Sequence, residues 1–178
     1  MIEKDITTNR FVALDFEVLD SAWRATVCSI GLAVIENNKI TDKFYSLICP
    51  PSKNENYYCV LTHGLHYEDV KNSPDFLKVW NEIDEKYIKG SPIIAHNVGF
   101  EKSCINACNE EFGTNNDYIY IDTLNLSRKY FPKLHNHKLD TVCEAIKHNL
   151  KNYHNALEDA EACAKIFIKL NKKYKLYV

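Results

Sequence analysis

Apolar and polar positions along the chain change period several times, and each change marks an element. Phe11–Val18 (FVALDFEV), Val27–Glu36 (VCSIGLAVIE) and Lys39–Cys49 (KITDKFYSLIC) read as three strands, rich in β-branched and aromatic residues. Asn37-Asn38 lies between the second and third. Asparagine tolerates positive φ, so this pair predicts a two-residue hairpin turn and an antiparallel meander. Residues 50–70 show no sustained period and read as an irregular surface segment. A 3.6-residue period then predicts a helix over Ser73–Lys89, with Ser73 as N-cap and Pro74 at the first helical position. Beyond it come a short buried strand (SPIIAHN), a helix over Phe100–Phe112, a strand over Tyr118–Ile121 and a helix over Asp122–Tyr130 that stops before Pro132. Two more helices follow, about Lys138–Lys147 and Ala156–Lys172. Strands first and alternating strands and helices afterwards predict an α/β fold: a mixed five-stranded sheet flanked by helices.

Four acids break this pattern where apolar residues belong. Asp15 and Glu17 sit at i and i+2 of the first strand, so they point to one face. On the last helix the apolar stripe is Ala156, Ala160, Cys163, Phe167 and Leu170, and Asp159 falls on it, unless the stripe edge is misjudged. Glu158 and Glu161 fall outside the stripe and are expected in solvent. Asn155 and Glu158 read as a reciprocal cap, which leaves His154 on the entering loop. Glu101 heads the stripe Cys104, Ile105, Cys108 and Phe112; an acid there is also what a helix macrodipole attracts. His96 and Asn97 end a strand, where α/β proteins build sites, although the two could equally be a hydrogen-bonded core pair.

Buried charges are costly unless compensated. Four inward acids close together call for hard cations with oxygen ligands, and Mg²⁺ or Mn²⁺ suits carboxylates. Two such ions ~3.5–4 Å apart form the arrangement used for phosphodiester cleavage, and His154 is then placed to take the proton of the attacking water.

Composition narrows the field. The chain has 178 residues, enough for one domain with its own core. Lys plus Arg is 22 and Asp plus Glu is 24, for a net charge of −2, so a nucleic-acid partner must be held by a local patch, by metal or by stacking. The seven cysteines include no C-x-x-C pair and read as reduced thiols in a cytoplasmic protein; Cys104 and Cys108, one helical turn apart, lack the second ligand pair a structural zinc wants. The charged N-terminus is no signal peptide, and no apolar run approaches the ~18 residues of a membrane span.

Three segments together resemble the DEDDh family of 3′–5′ exonucleases. LDFE is similar to the first motif, D-x-E; AHNVGFE to the second, H-N-x-x-F-D; HNALEDA to the third, H-x-A-x-x-D, at His154, Ala156 and Asp159. VCSIGLAVIENNKI, THGL, IDTLNLSR and NHKLDTVCEAI fit the intervening text, so the resemblance spans about residues 10 to 170. Its members include the proofreading epsilon subunit of DNA polymerase III and RNase T, which the pattern resembles. The resemblance implies an RNase H-like fold over residues 1–178 and release of nucleoside 5′-monophosphates from single-stranded DNA or RNA 3′ ends. Asp15 would touch both metals, Glu17 and Asp159 would complete the first site, Glu101 would act on the second, and His154 would be the general base. The backbone at Phe16 and Val18, the loop His63-Gly64-Leu65, and His96 and Asn97 would line the nucleotide slot, with Phe16 or Phe100 stacking on the terminal base. A DNA polymerase is a partner the resemblance allows, and so is a dimer; the oligomeric state and the choice between DNA and RNA stay open.

The chain departs from the pattern in three places. Glu101 stands where the second motif has Asp. Val18 and Leu19 follow D-F-E where small or hydroxyl residues are usual, and His66 follows H-G-L where relatives have Thr. The first departure keeps a second reading alive: a catalytically weakened nucleic-acid-binding module on the same scaffold.

Overall fold

In the computed structural model, which describes residues 8–177, the elements follow the order the pattern predicts. Strands β1 (Arg10–Val18), β2 (Val27–Glu36) and β3 (Lys39–Leu47) form the antiparallel meander, closed by Asn37 and Asn38 with φ of 51° and 58°. Two residues in the left-handed region make the turn that matches strand twist. Strands β4 (Ile93–Ala95) and β5 (Tyr120–Asp122) add in parallel beyond β1, giving the sheet order β3-β2-β1-β4-β5. This is a mixed sheet flanked by helices, the RNase H-like architecture.

Alternation on β1 divides the interior into two layers. Val12, Leu14, Phe16 and Val18 face a core with α3 (Phe76–Ile83) and α4 (Gly99–Phe112), in which Phe76 and Trp80 stack at 5.2 Å. Phe11 and Ala13 face the other layer, with Phe167 and Leu170 of α7 (Ala156–Tyr174), and with α5 (Thr123–Tyr130) and α6 (Leu139–Ala145) outside it. At Asp15 and Glu17 this second face of β1 turns from apolar to acidic.

Several expectations need correction. Residues 50–70 are not irregular throughout: α1 (Tyr57–His63) and α2 (Tyr67–Val70) form there, the first capped by the Asn56 side chain and ended by Gly64 in the left-handed region. They escape a periodicity search because α1 buries no residue and α2 is a single turn. Helix α3 is capped by Asp75, whose carboxylate accepts from the Lys78 N–H, and not by Ser73; it passes into a π-helical turn over Asp84–Ile88. On α7 the Asn155 side chain accepts from Leu157 and Glu158, but the Asn155 N–H donates to the Asn152 carbonyl, so the reciprocal half of the box is not made. Glu161 is not in solvent: it is 14% exposed and paired with Lys43 of β3. All seven cysteines are free; Cys49 and Cys59 are half-buried and the other five buried. Among the described residues no helix is long and apolar enough to cross a membrane.

Candidate active site

Strands β1, β4 and β5 run parallel, and the C-terminal ends of β1 and β4 open on one cleft of about 360 Å³. Asp15 and Glu17 form its floor. Asp159 enters from α7, Glu101 from the first turn of α4, and His154 from the loop before α7. Atoms that are 144 residues apart in sequence meet because α7 lies unusually close to the sheet. Gly31, paired with Asp15 across the ladder, is the reason. A Cβ built on it would sit 2.2–2.3 Å from the backbone of Ala156 and Leu157. Sequence reasoning took Gly31 only as part of a strand, although a glycine inside a strand marks a close backbone approach.

One ligand atom each of Glu17, His154 and Asp159 lies within 4.8 Å of the others. Asp159 Oδ2 accepts from the His154 N–H at 3.0 Å, which fixes the loop to the helix. His154 has φ of 67°, and its ring stacks on Tyr153 at 3.8 Å. Asp15 stands outside that trio but close enough to feel Glu101, Glu17 and Asp159. Glu101 is 2% exposed, so it is no solvated macrodipole partner. Glu101 Oε2 and Asp159 Oδ1 are buried and find no partner among the described residues. Orphaned buried carboxylate oxygens are rare in native proteins. Converging on one cleft, they fit an oxygen-ligated divalent cation, and the donor set is of the hard type.

The electrostatics agree. Burial, and then Glu101, Glu17 and Asp159, push the Asp15 carboxyl well above its ordinary range. Burial and Asp159 raise Glu17 to about 8; burial, Asp122 and Glu17 raise Glu101 to about 8 against the opposing pull of its own backbone N–H and, less, of Arg24; burial raises Asp159 to about 7. Burial lowers the His154 pKa, with Asp140 opposing, so its ring is neutral at neutral pH.

Between pH ~4.5 and ~8 the unfolded chain has released protons that the folded acids still hold, so the metal-free protein loses stability as pH rises through that window. The loss is expected to be roughly 3 kcal/mol, about 6–12 °C in melting temperature. Mn²⁺ displaces those protons, so its stabilising effect should grow from pH 5 to pH 8. Thermal melts with chelator and with Mn²⁺ measure both; a metal effect independent of pH would count against the acid cluster as the binding site.

The flanking residues divide into those that border the cleft and those that brace it. His63 accepts the Leu65 N–H at Nδ1 (3.1 Å), which leaves Nε2–H to donate to the Val18 carbonyl (3.1 Å) and ties α1 to the end of β1. Gly64 and Leu65 do not line the cleft: Gly64 ends α1, and Leu65 packs on Leu19, Cys28 and Val70. Both ring nitrogens of His96 are engaged, with Thr123 Oγ1 (2.9 Å) and the His137 carbonyl (2.8 Å), so His96 braces the cleft wall. Asn97 holds φ of 76° because its N–H donates to Asp122 Oδ1, which also caps α5 through Leu124. Stacking of a base on Phe16 is ruled out, since its ring is 2% exposed and packs on Phe76 and Trp80; contact there falls to the main chain. Phe100 borders the cleft, but one face of its ring carries the Arg24 guanidinium at 4.4 Å. Arg24 and Tyr153 were missed in the sequence: a loop arginine and a loop tyrosine have no period to betray them.

Residues 12–167 match the family model described as Exonuclease. The chain belongs to this exonuclease family, in its DEDDh 3′–5′ branch. It is 35% identical over 164 residues to the DNA polymerase III PolC-type of Caldanaerobacter subterraneus subsp. tengcongensis, covering 92% of this chain and 12% of that protein. It is 28% identical over 169 residues to the 3′–5′ exonuclease DinG of Bacillus subtilis, covering 93% and 18%. The chain thus spans less than a fifth of the length of these curated relatives. Among solved structures, the nuclease domain of 3′hExo, a DEDDh family member bound to rAMP, superposes with a TM-score of 0.79 at 12% identity over 96% of this chain and 95% of that one. E. coli Exonuclease I in complex with a dA16 oligonucleotide gives 0.81 at 13% over 94% and 42%. These two likenesses concern the fold.

Proposed function

We propose that the exonuclease domain hydrolyses the terminal phosphodiester of single-stranded 3′ ends, releasing nucleoside 5′-monophosphates. The observation that carries this is the meeting of Glu17, His154 and Asp159 within 4.8 Å, beside Asp15 and the buried Glu101. Asp15, Glu17 and Asp159 would hold one divalent ion, and Asp15 with Glu101 a second; Mg²⁺ and Mn²⁺ are the ions of choice for such donors. Bound there, such ions would supply hydroxide at neutral pH and would offset negative charge on the phosphoryl oxygens. His154, neutral and anchored through Asp159, would accept the proton of the attacking water. The left-handed backbone at His154 and the stacked Tyr153 hold the ring in place for that transfer. A DNA end is the first substrate to test, since the PolC-type relatives are named as DNA polymerases; a polymerase is the partner this would favour.

Incubation with end-labelled single strands and Mn²⁺ should give a ladder of shortened products and free 5′-monophosphates, and chelation should stop it. A folded protein that shortens neither deoxy- nor ribo-strands would overturn the reading.

Glu101 decides between a working nuclease and a weakened binding module. Its side chain reaches the cleft through burial in the first turn of α4, beside Asp122, Glu17 and Arg24. Shortening it by one methylene in Glu101→Asp is expected to keep the rate within about tenfold, and Glu101→Gln to lower it about 10²-fold. A rise of 10²-fold or more in Glu101→Asp would instead identify the natural chain as the weakened module.

A further inference from the structure

The cleft is lined by acids, yet its substrate is an anion. Among the described residues that line it, Arg24 is the one lysine or arginine. It stands on the loop between β1 and β2, and that loop is braced at both ends. Thr26, fully buried, receives the Asp20 N–H on its hydroxyl (2.9 Å) and lies within donating distance of the Trp23 carbonyl (2.8 Å). The Leu19 N–H donates to the Thr26 carbonyl, and the Asp20 carboxylate accepts from Ala22. The guanidinium then rests on the Phe100 ring, one residue before Glu101. A guanidinium held over an aromatic ring still has N–H donors for a planar, two-point contact, the geometry that suits phosphate.

We infer that Arg24 holds a phosphate of the bound strand, with Phe100 serving as the platform that orients the guanidinium. This rests on the nuclease reading above and adds to it the group that offsets the substrate's own charge. Phe100 is thereby turned from a base-stacking surface into support for a phosphate contact. The competing role is structural: Arg24 as a countercharge that merely relieves the crowding of acids around Glu101, whose carboxyl it draws downward.

Salt dependence separates the two. Each phosphate contact on a single strand contributes about −0.7 to the slope of log affinity against log salt. Binding of a short fluorescent deoxyoligonucleotide would be followed by anisotropy in Mn²⁺, in an Asp15→Asn background so that the strand is not consumed. Arg24→Gln should weaken binding about ten- to a hundredfold and flatten the slope by about 0.7. Arg24→Lys should recover the slope and part of the affinity. In the chain with Asp15 intact, Arg24→Gln should raise KM more than it lowers kcat. Calorimetric Mn²⁺ affinity in Arg24→Gln should stay equal or tighten, because a positive charge has been removed. An unchanged slope in a folded Arg24→Gln, or Mn²⁺ affinity that falls in step with activity, would overturn the inference and leave the structural role. If the unmodified chain shortens no strand, it is the nuclease reading that has failed, and the phosphate contact falls with it.

Discussion

Asparagine in place of Asp15 is expected to move activity and stability in opposite directions. The rate of 3′-end shortening should drop about 10³-fold or more, equivalent to about 4 kcal/mol of transition-state stabilisation. The melting temperature of the metal-free protein at pH 8 should rise. Both effects have one cause. The Asp15 carboxyl is desolvated and faces Glu101, Glu17 and Asp159, so its charge is unfavourable in the folded protein until a cation arrives. Asparagine keeps the size and removes the charge. A carboxyl whose pKa is raised on folding detracts from stability above its unfolded value, so neutralising it helps most at high pH. End-labelled strands measure the first effect and thermal melts in chelator the second. Mn²⁺ should then stabilise Asp15→Asn less than the unmodified chain. Retained activity would remove Asp15 from the site. A lowered melting temperature would mean that the carboxylate holds the fold together instead of straining it.

That opposition explains how much of the site could be read from the chain. Asp15, Glu17 and Asp159 are visible because each violates a strong local pattern: two acids on the face where Phe11 and Ala13 are apolar, and one on the stripe that Ala160, Cys163 and Phe167 continue. Residues that offend their secondary structure's pattern are where function shows. The order and type of the strands were equally legible, since β1 to β3 are rich in β-branched and aromatic residues and the Asn37-Asn38 turn has a mechanism. What escaped detection follows local rules or no periodic rule at all. Helix α1 buries none of its residues, so it carries no stripe, and Tyr57 and Tyr58 remain 72% and 74% exposed. Phe16 reads as an aromatic beside two inward acids, yet alternation sends its ring to the opposite layer, a consequence of the same period of two that brings Asp15 and Glu17 together. Arg24 sits in a loop, where neither period nor burial flags it. His96 looks like a site residue because it ends a strand at the cleft, and only its hydrogen bonds reveal that it braces the wall.

Gly31→Ala is expected to lose stability and activity together. The added methyl would meet the carbonyl carbon and oxygen of Ala156 and the nitrogen of Leu157 at 2.2–2.3 Å, which are main-chain atoms at the start of a 19-residue helix and have no rotamer to yield. Helix α7 must therefore rise off the sheet at its first turn. Overpacking of this kind costs about 3 kcal/mol, or roughly 6–12 °C in a chain of this length. The same displacement carries Asp159, three residues further along, and His154, two residues before, away from Asp15 and Glu17. Since ~1 Å of misplacement is worth ~10²-fold, the rate should fall by at least that factor. Mn²⁺ affinity should fall with it, which distinguishes this variant from Arg24→Gln, whose metal binding is expected to hold. It also inverts the stability effect of Asp15→Asn. One change removes a charge that the fold resists and the other inserts volume that the fold excludes, although both residues occupy the same rung of the β1–β2 ladder. A folded Gly31→Ala with unaltered melting temperature and rate would mean that α7 can sit higher on the sheet without disturbing the acids. The close approach at this rung would then not be what assembles the site.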